Sequence, residues 1–199
     1  MVRKPWWRKP LAIADLSMPG ADEILKLDPA KIAETKSRLG FNAEHLTCSD
    51  VLGGEKGLFY FKTGIAKKVI RDFIGEYLPE AHKRGIRVLI YYNVHWINVA
   101  FGKDHSDWLQ VNIEGKIIDD LYGSGNAPCV NSPWRDWSFR GIKDLAVYDI
   151  DGIFLDGPIV TPGACYCQSC KRNFSQKYDL ELPRKEDWKD TAWRMFIEY

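Results

Sequence analysis

The sequence predicts an α/β fold, a parallel sheet covered by helices, on three observations. Short apolar runs alternate with longer stretches of helical periodicity. Glycine stops follow the helices, and two long loops fall directly after strand ends. Strands that alternate with helices across tight junctions are the pattern of parallel crossover units, whose binding sites collect at the carboxyl edge of the sheet.

Taken in order, a first strand is expected at Leu11-Ala12-Ile13-Ala14. Asp28-Pro29 reads as N-cap and first-turn proline of a helix running to about Leu39, and Gly40 supplies its left-handed stop. Phe41 to Leu46 follows as the second strand. Val69, Ile70, Phe73, Ile74, Tyr77, Leu78 and Ala81 recur at helical spacing, with Pro79 expected to kink or weaken the last turns. Lys83-Arg84-Gly85-Ile86 repeats the earlier ending Ser37-Arg38-Leu39-Gly40-Phe41 and launches the strongest strand, Arg87 to Tyr92. A fourth unit starts at Ser132-Pro133, runs through Trp134, Trp137, Ile142 and Leu145, and leads into a strand at Gly152 to Pro158. Asn93 to Asn131 and Gly157 to Gln168 are the two loops, and Trp188, Ala192, Trp193 and Phe196 give helical spacing to the stretch from Arg184 to Tyr199.

Composition narrows the function classes. Against 28 Lys+Arg stand 27 Asp+Glu, so the net charge is 28 − 27 = +1. Nucleic-acid binders and polybasic membrane anchors depend on a large basic excess, so neither partner is expected. No apolar run approaches the roughly 20 residues that cross a bilayer. The basic N-terminus is followed by Asp15 and Asp22 rather than a signal-peptide core, which reads as cytoplasmic. Oligomeric state is left open, a homo-oligomer included. Eight Trp suit either sugar stacking or core packing, and the number alone does not choose. The Lys67-Lys68 run reads as a solvated face.

Asp156 ends the Gly152–Pro158 strand, where alternation puts residues 152, 154 and 156 on one face and Ile153 and Leu155 on the other. If Ile153 and Leu155 meet the helices, Asp156 faces the interior at the carboxyl end, a catalytic position in a (β/α) barrel. The alternative is a carboxylate that caps the amides from Gly157 onward. Asp151, at the opposite end, reads as a capping or turn residue. Tyr91-Tyr92-Asn93-Val94-His95-Trp96 offers hydrogen-bonding and aromatic groups to a sugar, with Asn93, His95 and Trp96 as substrate-binding candidates. His45 and Tyr60 are weaker candidates for the same role.

Five cysteines include the cluster Cys165-Tyr166-Cys167-Gln168-Ser169-Cys170. Thiolates at that spacing can converge on one zinc ion, and Cys129 in the other long loop is the candidate fourth ligand that closes the tetrahedron. A redox pair at Cys167 and Cys170 competes, but it would leave two cysteines unused. Four thiolates leave no open coordination position, so the zinc would be structural. Cys48 stands outside both schemes as a buried thiol.

These residues resemble a known group. Gly152-Ile153-Phe154-Leu155-Asp156-Gly157-Pro158 followed by Cys165 to Phe174 is similar to glycoside hydrolases of the "hypothetical glycosyl hydrolase 6" group, relatives of the family 29 α-L-fucosidases. Tyr77 to Val88, Asp107-Trp108 and Asn112-Ile113-Glu114-Gly115-Lys116 carry the same likeness, which extends from about Pro29 to Pro183. The resemblance implies a (β/α)8 barrel of the TIM type and a carbohydrate substrate, with Asp156 matching the nucleophile at the end of the fourth strand. Cys129, Cys165, Cys167 and Cys170 also resemble the zinc cluster of family 42 β-galactosidases. In that family the fourth strand ends in Asn-Glu, whereas here it ends in Leu155-Asp156, which favours the nucleophile reading.

A complete barrel takes about 250 residues, so roughly four βα units are expected, the N-terminal half of the barrel. Residues 1–199 then read as the N-terminal portion of a catalytic domain with a zinc-binding loop around 129–170. The expected activity is a retaining O-glycosidase, fucosidase- or galactosidase-like, whose second carboxylate comes from a later strand. A non-catalytic carbohydrate-binding or scaffold protein with a structural zinc is the alternative.

Overall fold

The computed structural model describes residues 5–17, 20–49, 58–66 and 68–199. Met1–Lys4 of the basic N-terminus and Lys67 of the lysine run lie outside the described residues. In chain order the elements are β1 (Ile13–Ser17), α1 (Ala21–Ile24), α2 (Pro29–Arg38), β2 (Ala43–Thr47), β3 (Leu58–Phe59), β4 (Lys68–Val69), α3 (Phe73–Lys83) and β5 (Arg87–Asn93). They continue with β6 (Ile97–Asn98), α4 (Val99–Asp104), β7 (Gly125–Asn126), α5 (Trp134–Leu145), β8 (Gly152–Asp156), α6 (Gln168–Tyr178) and α7 (Thr191–Glu198). The chain divides into two compact units, Met1–Asn93 with Arg140–Asp156, and Val94–Phe139 with Gly157–Tyr199.

The first unit holds the expected parallel sheet, in the order β1-β2-β5-β8 with every pairing parallel. Register fixes its faces. Leu46, Val88, Ile90 and Tyr92 are buried on one side, with Ile74, Tyr77, Leu78 and Ala81 of α3 also buried in this unit. Glu44 lies fully buried on that same side of β2. It accepts hydrogen bonds from Lys36 Nζ of α2 and the Tyr77 hydroxyl of α3, the pairing a buried carboxylate requires. Burial and that neighbouring carboxylate push the Tyr77 hydroxyl pKa up.

Local chemistry moves several boundaries away from the sequence expectation. The first strand begins at Ile13 rather than Leu11, because the Asn42 side chain occupies the preceding backbone, accepting from Ala12 N (2.9 Å) and donating to Pro10 O (3.2 Å). Val69 is not helical but pairs in β4 with Phe59 of β3. The helix opens only after Asp72, whose Oδ1 accepts from Gly75 N, and then runs through Pro79 to Lys83. Asp28 caps α2 as expected, accepting from the amides of Ala30 and Lys31. In β8, Leu155 remains 41% exposed rather than meeting a helix layer. The reason is position: β8 is an edge strand with a partner on one side only.

The second unit is built mainly of helices and irregular chain, its strands among the described residues being two residues long. The stretch expected as a loop after Asn93 forms the β6–β7 antiparallel pair and α4, whose Asn98 cap accepts from Phe101 N. Ile97, Phe101, Leu109 and Trp134 form one small core, and a second core is built from Cys129, Cys165, Cys167 and Cys170 with Tyr166, Phe174 and Leu182. The C-terminal helix is shorter than its periodicity predicts. Asp187 turns the chain by accepting from Lys189 N, Asp190 caps α7 by accepting from Ala192 N, and Trp188 stays outside the helix. Among the described residues, no helix is long and apolar enough to cross a membrane.

Candidate active site and metal centre

Strand alternation sets the open face of the sheet. His45 on β2, Leu89, Tyr91 and Asn93 on β5, and Gly152, Phe154 and Asp156 on β8 stand on the side away from Glu44. Register places Asn93 beside Asp156 and Tyr91 beside Phe154. The Tyr91 hydroxyl donates to Asp156 Oδ2, and its ring stacks on Phe154 with centroids 6.1 Å apart. His45 meets the Phe154 ring edge-on at 4.6 Å, and its Nδ1 lies 3.2 Å from Asp15 Oδ1 of β1. Three carboxylate, imidazole and amide candidates, Asp156, His45 and Asn93, thus share one half-open face. A carboxylate fixed by a phenol, beside an amide and two aromatic rings, can orient a polyol and attack an electrophilic carbon.

Asp151, at the other end of β8, has the capping role expected of it. Its Oδ2 accepts from Val88 N (2.8 Å) and lies 2.8 Å from His82 Nε2, while Oδ1 accepts from Arg87 (2.8 Å).

Tyr60 is placed elsewhere. Its side chain is fully buried in the first unit, and its backbone amide donates to Cys48 O, so no sugar can reach it. His95 and Trp96 belong to the second unit. His95 is buried there against the edge of Tyr122, with centroids 5.6 Å apart. Its Cβ sits where a side chain at Gly157 would clash, at 2.6 Å. Trp96 donates its indole N–H to Leu121 O (3.2 Å) and packs against Gly125. Both contribute packing within that unit.

The sequence singles out neither Phe154 nor Asp15, and it offers Tyr91 only as part of the Tyr91–Trp96 run. The parity of Tyr91 with Asn93, and of Phe154 with Asp156, was the available signal. Asp15 fell outside a strand expected to end at Ala14.

The cysteines converge. Cys129, Cys165, Cys167 and Cys170 are buried free thiols whose sulfurs lie within 4.8 Å of one another. Cys129 and Cys170 are separated by 3.4 Å and Cys167 and Cys129 by 3.6 Å. A tetrahedron with metal–sulfur bonds of about 2.3 Å has sulfur–sulfur edges of about 3.8 Å, so the donor set fits one tetrahedral ion. Cys167 is also the N-cap of α6, its sulfur accepting from Cys170 N. Hydrogen bonds from Cys129 and the other thiols hold the Cys167 pKa down, while Cys129 is pushed up by the thiols around it. The four thiols thus compete for the same protons, and a metal ion would take them as thiolates. Cys48 stands apart in the first unit as a buried thiol.

Residues 29–157, more than half of the chain, match the family described as hypothetical glycosyl hydrolase 6. No curated protein matches the chain by sequence. Among solved structures, α-L-fucosidase isoenzyme 2 from Paenibacillus thiaminolyticus is similar with a TM-score of 0.71 at 20% identity, covering 96% of this chain and 29% of the fucosidase. The β-galactosidase of Halorubrum lacusprofundi is similar at 0.56 and 16% identity over 86% of this chain and 25% of that one. The maltogenic α-amylase AmyB of Thermotoga neapolitana is similar at 0.55 and 18% identity over 76% and 40%. At these identities the likeness is one of fold, and it agrees with a (β/α) barrel present in part.

Proposed function

The chain belongs to the hypothetical glycosyl hydrolase 6 family, and from that premise we propose that it carries part of the active site of a retaining O-glycosidase with Asp156 as nucleophile. Glycoside hydrolase-like character at a coarse level follows from the family. The hydrogen bond from the Tyr91 hydroxyl to Asp156 Oδ2 at the carboxyl end of β8 carries the finer reading. That bond fixes the orientation of the carboxylate. Asn93 and His45, on the same face, would bind sugar hydroxyls, and Phe154 offers a ring to the sugar.

Retention needs a second carboxyl about 5–5.5 Å from the first. Asp15, the carboxylate paired with His45, sits three strand spacings from β8, on the order of 14 Å, and does not meet that distance. An acid partner for Asp156 is therefore assigned to neither Asp15 nor the capping residue Asp151. The sugar is proposed only as a class, a fucose- or galactose-like glycoside.

The four-cysteine centre is proposed to hold a structural zinc. Four soft thiolate donors in a closed, buried tetrahedron suit zinc and leave no position for a reactive water.

The nucleophile assignment is tested with 2-deoxy-2-fluoroglycosyl fluorides of a sugar panel. Fluoride leaves without protonation, so the carboxylate forms its bond to the anomeric carbon as the carbon–fluorine bond breaks, even with no acid at hand. Mass spectrometry should find one added glycosyl group on the peptide bearing Asp156, absent in Asp156→Ala. Labelling at another carboxylate, or at none with any sugar, sinks the assignment; sugar binding without labelling favours a carbohydrate-binding protein.

A further inference from the structure

The sulfurs of the cysteine centre receive N–H groups, and one donor differs in kind from the rest. Cys129 Sγ accepts from the Asn131 backbone amide at 3.4 Å, and Cys167 Sγ from the Cys170 backbone amide at 3.5 Å. Cys170 Sγ instead takes the side-chain amide of Asn131, with Nδ2 at 3.5 Å. Asn131 therefore touches two of the four sulfurs. Its own carbonyl accepts from Asn173 Nδ2 at 3.4 Å, which ties the Cys129 loop to α6.

The chemistry of the donor set gives this contact a purpose. Four thiolates around one divalent cation carry a net charge of 2− in a buried site, a state that needs compensation. N–H donors at sulfur supply it, drawing electron density from the thiolates and fixing their directions. Backbone donors come with the loop fold and no side-chain change removes them. An amide oxygen turned toward the Cys170 thiolate would be repelled, so Asn131 must present its nitrogen.

We propose that Asn131 is a positioning residue of the metal centre, its side-chain amide holding the Cys170 thiolate and raising the affinity of the site for its ion. The proposal rests on the zinc reading above and concerns metal binding rather than turnover. Unlike the four ligands, Asn131 would never bond the ion; it acts through Cys170.

Full-length wild-type, Asn131→Leu and Asn131→Asp chains are each loaded with Zn2+ alone or Co2+ alone. Competition with a chromophoric chelator reads the zinc affinity, and the cobalt–thiolate charge-transfer band reads electron density at sulfur. Asn131→Leu should lower the affinity about 10–100-fold while one metal still binds per chain, and move the band to lower energy. Asn131→Asp keeps the shape but replaces the donor with an acceptor, so it should lose more; it also decides the matter if the leucine variant folds badly. Unchanged affinity overturns the proposal and leaves the zinc reading intact. Lost affinity with an unmoved band overturns it too, since it assigns Asn131 to loop packing. A wild-type chain that takes up neither metal overturns both readings.

Discussion

Cys48 follows β2 with its side chain out of water, and burial pushes its thiol pKa from 9.0 up to about 12. A weaker backbone hydrogen bond pulls the other way. The folded chain thus keeps a proton there that the unfolded chain releases above 9.0, and stability must fall as pH rises between those two values. The slope is at most about 1.4 kcal/mol per pH unit from this one group. Denaturant titrations from pH 8 upward should show that fall in the wild-type chain and a shallower one in Cys48→Ala; identical slopes would mean that the thiol ionises freely in the fold. Single residues were unevenly legible. Cys48 could be read as a buried thiol because the metal scheme left it over. Tyr60 could not be separated from a site tyrosine, because an aromatic after a strand serves a core and a sugar equally well. Asn131 was visible only as a loop residue beside Cys129, since an amide has no signature until its sulfur partner is placed.

At the scale of elements, β8 shows how two carboxylates on one strand diverge in role. Asp156 stands at the carboxyl end under the Tyr91 hydroxyl, whereas Asp151 precedes the amino end and joins three partners from α3 and β5. Breaking the Asp151 contacts leaves the Val88 amide and the Arg87 guanidinium without their acceptor. Asp151→Ala should therefore cost about 2–3 kcal/mol in denaturant unfolding, with Asp151→Asn losing less. Neither variant should change glycosyl labelling at Asp156; a loss smaller than about 0.5 kcal/mol would mean that the clamp is slack. The four main strands of the parallel sheet were legible because each had its own apolar run and a cap or glycine beside it, as Asp28 and Gly85 illustrate. Boundaries failed where a side chain competed with the ladder. Asn42 delays β1, and Asp72 sets the start of α3 four residues past Val69, whose apolar side chain fits either period.

The whole molecule is two units of different construction. The first is held by a sheet and its helices, the kind of structure that hydrophobic periodicity reports. Much of the second reads as two loops because its strands are two residues long, and one of its cores joins Cys129 to three thiols 36 and more residues further along the sequence. Such a core has no period, only spacing, which is why the four cysteines were legible while the unit around them was not. A core of four buried thiols is cohesive when a cation joins them. Without one, four sulfhydryl groups share a small volume and metal-binding free energy is lost from folding. Removing the proposed zinc should then loosen the second unit selectively. Full-length protein is digested with a dilute protease under reducing conditions, with and without a strong chelator, and metal loss is verified by elemental analysis. New cuts should appear within Val94–Phe139 and Gly157–Tyr199, while the pattern within Met1–Asn93 stays the same in both digests. Zinc returned in excess should restore the original pattern, because the ligands themselves are intact. Identical digests before and after verified metal loss would show that the second unit folds on its apolar contacts alone, leaving the ion no structural task there.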